Sequence, residues 1–241
     1  MLVSHRKQFI FTKTRKAAGT SVESYFEPYC MPDGEWEEYH ARPEYVSETG
    51  IIGLRAFDVS DATWYNHLPA QTIRDQLGHD VWDRYFKFTT IRNPFDRLVS
   101  RFFHREKAKE HHSRRRRWTA FGNRLLGIGS PEDRVRGKTD VSRFRSWIRN
   151  GGYRVTDREV YLIDGDVCVD TFIRYEDLHA GIAHVCEQVG VPFEPELLLN
   201  FKSGMRNQTT PVREYYDPRT RGIVEEHYAW ELEHFGYDMP E

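Results

Sequence analysis

The stretch Phe9-Ile10-Phe11-Thr12 leads through Lys13-Thr14 into Arg15-Lys16-Ala17-Ala18-Gly19-Thr20-Ser21-Val22-Glu23. The first four residues read as a buried strand. Thr20 to Phe26 reads as the opening turns of a helix, with Thr or Ser as cap and Glu23 in a capping-box position. A strand that runs through a loop of small residues into a helix narrows the choice of fold more than any other feature of the chain.

The same unit returns further on. Tyr85 to Ile91 predicts a second strand, Arg92-Asn93-Pro94 ends it, and Phe95, Leu98, Val99, Phe102 and Phe103 give the following helix an apolar side. Pro69 starts a helix striped by Ala70, Ile73 and Leu77 and stopped by Gly78. Val141 to Ile148 reads as helix, Val167 to Ile173 as strand, and Leu178 to Val189 as a helix ended by Gly190. Pro218 to Phe235 reads as a final amphipathic helix with Ile223, Val224, Tyr228 and Leu232 inward. Strands separated by helices predict an α/β layered fold with a central, mainly parallel sheet. Residues 31–66 show no clear period apart from Gly50-Ile51-Ile52-Gly53-Leu54 and read as loops and short pieces.

No Pro/Gly/Ser-rich linker divides the 241 residues, so one domain over 1–241 is expected. Residues 101–117 carry eight Lys and Arg against Glu106 and Glu110, and a polar stretch follows, so a mobile basic insertion is expected at about 105–138. Over the whole chain 35 basic residues meet 37 acidic ones, a net charge of −2, which gives no general pull towards nucleic acid or an anionic membrane. Cys30, Cys168 and Cys186 are odd in number and widely spaced, and suggest neither a disulfide framework nor a zinc site. With no signal-like or membrane-spanning apolar run, a protein of the cytoplasm is expected.

Helix N-termini attract anions through their unpaired N–H groups and the macrodipole. In the first loop Ala17, Ala18 and Gly19 leave the backbone open to close approach, Thr20 and Ser21 offer hydroxyls, and Lys16 supplies a mobile charge. The Lys precedes the Gly, and no GxxxxGK[ST] string exists, which disfavours an ordinary Mg-dependent NTPase. At the second loop Arg92 stands at a strand end and Ser100 lies two turns along the next helix, where a fork and a hydroxyl suit a further phosphate. Two anion sites on one ligand select a nucleotide phosphorylated in two places.

Arg15-Lys16-Ala17-Ala18-Gly19-Thr20-Ser21 resembles the PKxGGTS-type 5′-phosphosulfate loop of sulfotransferases that use 3′-phosphoadenosine 5′-phosphosulfate (PAPS). Thr90-Ile91-Arg92-Asn93-Pro94-Phe95-Asp96-Arg97-Leu98-Val99-Ser100 resembles their 3′-phosphate motif, and Phe172 to Leu178 is similar to their RYEDL-like segment. The resemblance runs in order from about residue 9 to residue 190 and is to membrane-free bacterial relatives of the carbohydrate sulfotransferases. It departs from the pattern where Arg15 replaces Pro and Ala17-Ala18 replace a residue-Gly pair. It implies a P-loop-like three-layer fold and metal-free sulfuryl transfer to a hydroxyl, with PAP released.

Under that resemblance Arg15, Lys16, Ala18, Gly19, Thr20, Ser21, Arg92 and Ser100 bind the donor, and Lys16 also meets the bridging oxygen. Ser203 and Arg206, in a basic Gly-containing loop, join them loosely. His67, between the two phosphate loops, is the expected base because a His takes a proton near neutrality, and Glu48 is the alternative. Glu176 and Asp177 read as turn formers, Asp177 as a helix N-cap. The run Arg114 to Arg117 suits a sulfated or acidic glycan acceptor, against the plainer reading of a charged loop; nucleic acid is not expected as a partner. A nucleotide-binding scaffold without turnover and an atypical P-loop kinase are the competing functions, and the acceptor and oligomeric state stay open.

Overall fold

The computed structural model describes residues 1–56, 58–119, 139–198 and 210–240. In chain order they form β1 (Leu2–Ser4), β2 (Phe9–Thr12), α1 (Gly19–Phe26), β3 (Tyr45–Val46), β4 (Gly50–Ile52), α2 (Ala70–Leu77), α3 (His79–Arg84), β5 (Phe86–Ile91), α4 (Pro94–Thr119) and α5 (Asp140–Trp147). After these come α6 (Arg158–Tyr161), β6 (Leu162–Ile163), β7 (Asp166–Val167), β8 (Thr171–Arg174), α7 (Leu178–Val189), α8 (Pro218–His227) and α9 (Ala229–Phe235). Two compact units result, one of Met1–Arg92 with Thr156–Ser203, the other of Asn93–Val155 with Gly204–Glu241.

The first unit is α/β, built on a sheet of order β3-β4-β1-β2-β5-β8. Successive side chains of a strand point to opposite faces. Leu2, Phe9 and Phe11 therefore meet Val22 and Phe26 of α1 and Ile182 and Val185 of α7. Val3 and Ile10 meet Ile73 of α2 and Trp82 of α3 on the other face. Only β2–β5 and β5–β8 pair in parallel; β1–β2, β1–β4 and β3–β4 are antiparallel. The sheet is thus mixed rather than mainly parallel. The antiparallel half escapes a periodicity reading because β1, β3 and β4 are only two or three residues long. The reversal between β1 and β2 turns through Gln8 at φ 52°, and such a short connection can join only antiparallel neighbours.

Helix α1 does not begin as the sequence suggests. Its N-cap is Ala18, in the left-handed region at φ 57°, and no side chain caps the helix. Glu23 is instead fully buried. Its carboxylate accepts from the Met1 ammonium (2.8 Å), Lys13 Nζ (2.5 Å) and Arg55 Nη1 (2.7 Å). One turn on, the buried Glu27 accepts from Arg55 Nη1 (2.9 Å) and pairs with Arg42 Nη2 (2.9 Å). Burial opposes ionisation of Glu23, but Lys13, the terminal ammonium and Arg55 together outweigh it and hold the carboxyl well below the usual carboxylate range. Arg42 and Arg55 belong to the stretch without period, so charge pairing rather than amphipathicity gives that stretch its order.

The second unit is helical, with Phe95, Leu98 and Phe102 of α4, Phe144 of α5, Tyr215, Tyr216, and Val224 of α8 forming its core with Tyr228. Asn93 Oδ1 accepts from the Phe95 N–H (3.0 Å) at the start of α4. That helix continues to Thr119, so the part of the expected mobile basic insertion from 105 to 119 is helical; Arg, Lys, Glu and Ala are all good helix formers. The rest of the expected insertion, 120–138, lies outside the described residues. The expected final helix is two helices. The chain leaves helical geometry at Tyr228 (φ −104°), whose buried hydroxyl lies 2.7 Å from the carbonyl oxygens of Tyr153 and Val155.

Glu23→Gln removes the buried negative charge that the Met1 ammonium, Lys13 and Arg55 share, and a loss of about 3–5 kcal/mol is expected in urea unfolding at pH 7. Because the folded-state pKa of Glu23 is depressed, the stability it contributes is present above its ordinary value of 4.5 and declines as pH falls below it. Between pH 5 and 3 the wild type should therefore lose stability more steeply than Glu23→Gln. Parallel curves would show that Glu23 carries no such load.

Candidate active site

Four consecutive residues after β2 are each tied to a different part of the first unit. The Lys13 carbonyl accepts from His67 Nδ1 (2.8 Å). Thr14 Oγ1 donates to the Thr90 carbonyl (2.7 Å) on β5. Arg15 donates from its backbone N–H to Asp157 Oδ2 (3.0 Å) and from Nη1 to Asp157 Oδ1 (2.8 Å). The Lys16 carbonyl accepts from Arg92 Nη1 (3.1 Å).

These anchors hold a backbone that is otherwise unfavourable. Lys16 sits at φ 67° and Ala18 at φ 57°, left-handed positions that cost a residue with a Cβ of order 1–3 kcal/mol each. The Ala18 carbonyl accepts from the N–H groups of Ser21 (2.9 Å) and Val22 (3.2 Å), which begins α1 and leaves the amides of Gly19 and Thr20 at its mouth. A Cβ on Gly19 would stand 2.9 Å from Lys13 Cγ and 3.3 Å from the Thr14 carbonyl oxygen, so only glycine lets the loop run this close to the helix start. The arrangement presents N–H groups, the Thr20 and Ser21 residues and the half-buried Lys16 together, a donor set suited to a phosphate-like anion.

His67 reaches the same loop through its bond to Lys13. A carbonyl only accepts, so Nδ1 carries the proton and Nε2 keeps the lone pair. Burial first, then the Lys13 charge, lowers its pKa to about 4, so the ring is neutral at pH 7. Glu48, the alternative base, lies in the exposed turn between β3 and β4. Register puts that turn beside Ser4 and Phe9, at the end of β2 away from the loop.

Arg92 is 7% exposed, and its guanidinium carbon stands 3.8 Å from the centroid of the Tyr175 ring. Parallel pairing of Ile91 with Arg174 brings both residues out of the same end of the sheet. Asp177 occupies the N-cap position of α7, yet its side chain makes no capping bond, contrary to the sequence reading. Ser100 lies on α4 in the second unit and is half-buried. Ser203 and Arg206 fall outside the described residues.

A family model described as the sulfotransferase family matches residues 1–238. The chain belongs to the sulfotransferase family. No curated protein and no solved structure gives a significant match. The family model covers nearly the whole chain, both units included, and bears out the resemblance carried by the two loops. A sulfotransferase is a transferase acting on an acceptor, and in this one each of the residues 13–16 of the loop after β2 is held by its own hydrogen bond. Among the described residues no group of three or more His, Cys, Asp or Glu is placed to hold a metal ion, and no helix is long and apolar enough to cross a membrane.

Sequence reasoning missed Lys13, Asp157 and Tyr175. Lys13 is hidden because its partner Glu23 is ten residues away on another element, and Asp157 because it meets Arg15 across 142 residues. Only the i, i+4 spacing of Glu23 and Glu27 on one helix face was available as a signal.

With its pKa lowered, His67 stays neutral down to about pH 4, while the unfolded chain protonates near 6.5. The unfolded state then binds the extra proton, so His67 makes the fold less stable as pH falls from 6.5 towards 4. Imidazole nitrogen NMR should show an Nδ1–H tautomer unchanged from pH 7 to 5. Titration near 6.5 would mean that His67 is not buried beside the Lys13 charge in solution.

Proposed function

We propose that this sulfotransferase moves a sulfuryl group from PAPS to an acceptor hydroxyl and releases PAP, without a metal. The observation that carries the reading is the fourfold anchored loop from Lys13 to Lys16, which opens onto the start of α1 with Arg92 bonded to it. The strand–loop–helix from β2 to α1, beside parallel β5 and β8, supports the P-loop-like arrangement. The family match over residues 1–238 supports a single working domain; the cytoplasmic location rests on the sequence reading alone.

In this reading Arg15, Lys16, Ala18, Gly19, Thr20 and Ser21 form the cradle for the 5′-phosphosulfate. Its backbone N–H groups are preset, so little reorganisation is needed when charge develops. Lys16 neutralises the charge that appears on the bridging oxygen as the S–O bond breaks. Nε2 of His67 takes the proton from the acceptor hydroxyl as its oxygen bonds to sulfur; a neutral ring at pH 7 is ready for that step. Arg92 is assigned to the 3′-phosphate, where a planar fork suits the anion. The parts of Ser100, Ser203 and Arg206 rest on the sequence motifs alone. A hydroxyl-bearing glycan, neutral or anionic, is the proposed acceptor class.

The deciding experiment compares thermal shifts with PAP, 5′-AMP and Mg-ATP at equal concentration. A ligand at a hundred times its Kd stabilises by about 2.7 kcal/mol. Stabilisation by PAP but not by 5′-AMP is expected, and Arg92→Ala should abolish that preference. A larger shift with Mg-ATP would favour a kinase, and no shift with any of the three would end the reading.

Once an acceptor is in hand, Lys16→Ala should lower kcat about 10²–10³-fold. The acid limb of kcat/KM should fall near pH 4, the value to which burial lowers His67, and not near 6.5. A His67→Ala variant with near-wild-type turnover would remove His67 as the base.

A further inference from the structure

Arg15 stands where the loops it resembles carry proline. Proline fixes φ near −65° and has no N–H to satisfy. An arginine there gives up the fixed dihedral and adds a donor that needs a partner. Both demands meet at one side chain: Asp157, only 1% exposed, accepts the Arg15 N–H on Oδ2 and its guanidinium on Oδ1. Glu159 adds a weaker contact to the same guanidinium nitrogen at 3.5 Å. The two bonds fix backbone and side chain of Arg15 together, and the very next residue is the left-handed Lys16.

We propose that Asp157 is a positioning residue, whose two-point grip on Arg15 holds the loop in its binding conformation as proline would do covalently. It touches no substrate and acts through Arg15 on Lys16. Its effect on ligand affinity rests on the PAPS reading; the grip itself does not.

Two arms separate these claims. In the first, hydrogen exchange on the full chain without ligand follows the amides of residues 13–22 in wild type, Asp157→Asn, Arg15→Met and the double variant. Asp157→Asn should speed exchange at residues 15–19 about tenfold or more while α7 keeps its wild-type protection. The double variant should add little to the single ones, because the two residues form one interaction. Wild-type exchange in the loop of Asp157→Asn, or an equal rise in α7, would overturn the proposal. Arg15→Met keeps the backbone bond and stands in if Asp157→Asn does not fold: it too should loosen the loop, and unchanged exchange would count against the grip.

In the second arm, PAP is titrated into each variant. Asp157→Asn should weaken PAP about tenfold, and Lys16→Ala should erase most of that difference, since Asp157 acts through Lys16. Additive losses would show that Asp157 merely stabilises the fold. If wild type itself does not bind PAP, the donor reading fails, and the exchange arm alone decides the role of Asp157.

Discussion

Two carboxylates buried one turn apart, Glu23 on α1 and Glu27 at its C-cap, set the terms for the first unit. Taking Glu23 and Glu27 out of water is costly unless cations follow them, and each receives at least two. Those cations come from the chain start, from the loop after β2 and, as Arg42 and Arg55, from the stretch between α1 and α2. Lys13 is the joint of this arrangement. Its ammonium is bonded to Glu23 and its carbonyl to His67, so one residue ties the buried helix face to the loop and to the proposed base.

The loop itself illustrates how strain is held in place. Two non-glycine residues within three positions take left-handed dihedrals, and each of the four residues from Lys13 to Lys16 has its own anchor, His67, Thr90, Asp157 and Arg92, drawn from three separate segments of the chain. Such over-determination is what keeps a sparsely populated backbone in place. For transfer chemistry the gain is orientation, since donors that do not have to move when charge develops lower the barrier more than donors that do.

The elements legible in the sequence are those with local causes. Helix α2 lies between Pro69 and Gly78 as its punctuation requires, and α7 ends at Gly190 in the left-handed conformation. The aromatic and β-branched run before Arg92 is β5. Where periodicity was too short to read, the antiparallel half of the sheet went unseen, and the α1 cap was misread because Glu23 had a stronger partner set inside than at the helix end. High helix propensity carries α4 on into the stretch where charge density suggested a mobile insertion.

By itself the sequence determined the strand–loop–helix units, the residue types of the two loops and the resemblance that the family match bears out. These depend on neighbours within a few turns of chain, and local propensity and turn chemistry decide them. The tertiary structure alone decided which residues hold that loop: the pairing of Arg15 with Asp157, the bond that fixes the His67 tautomer, the separation of Glu48 from the loop, and the stacking of Arg92 on Tyr175. Each joins groups far apart in the chain, and a hydrogen bond of about 3 Å acts only once the fold has brought its partners together.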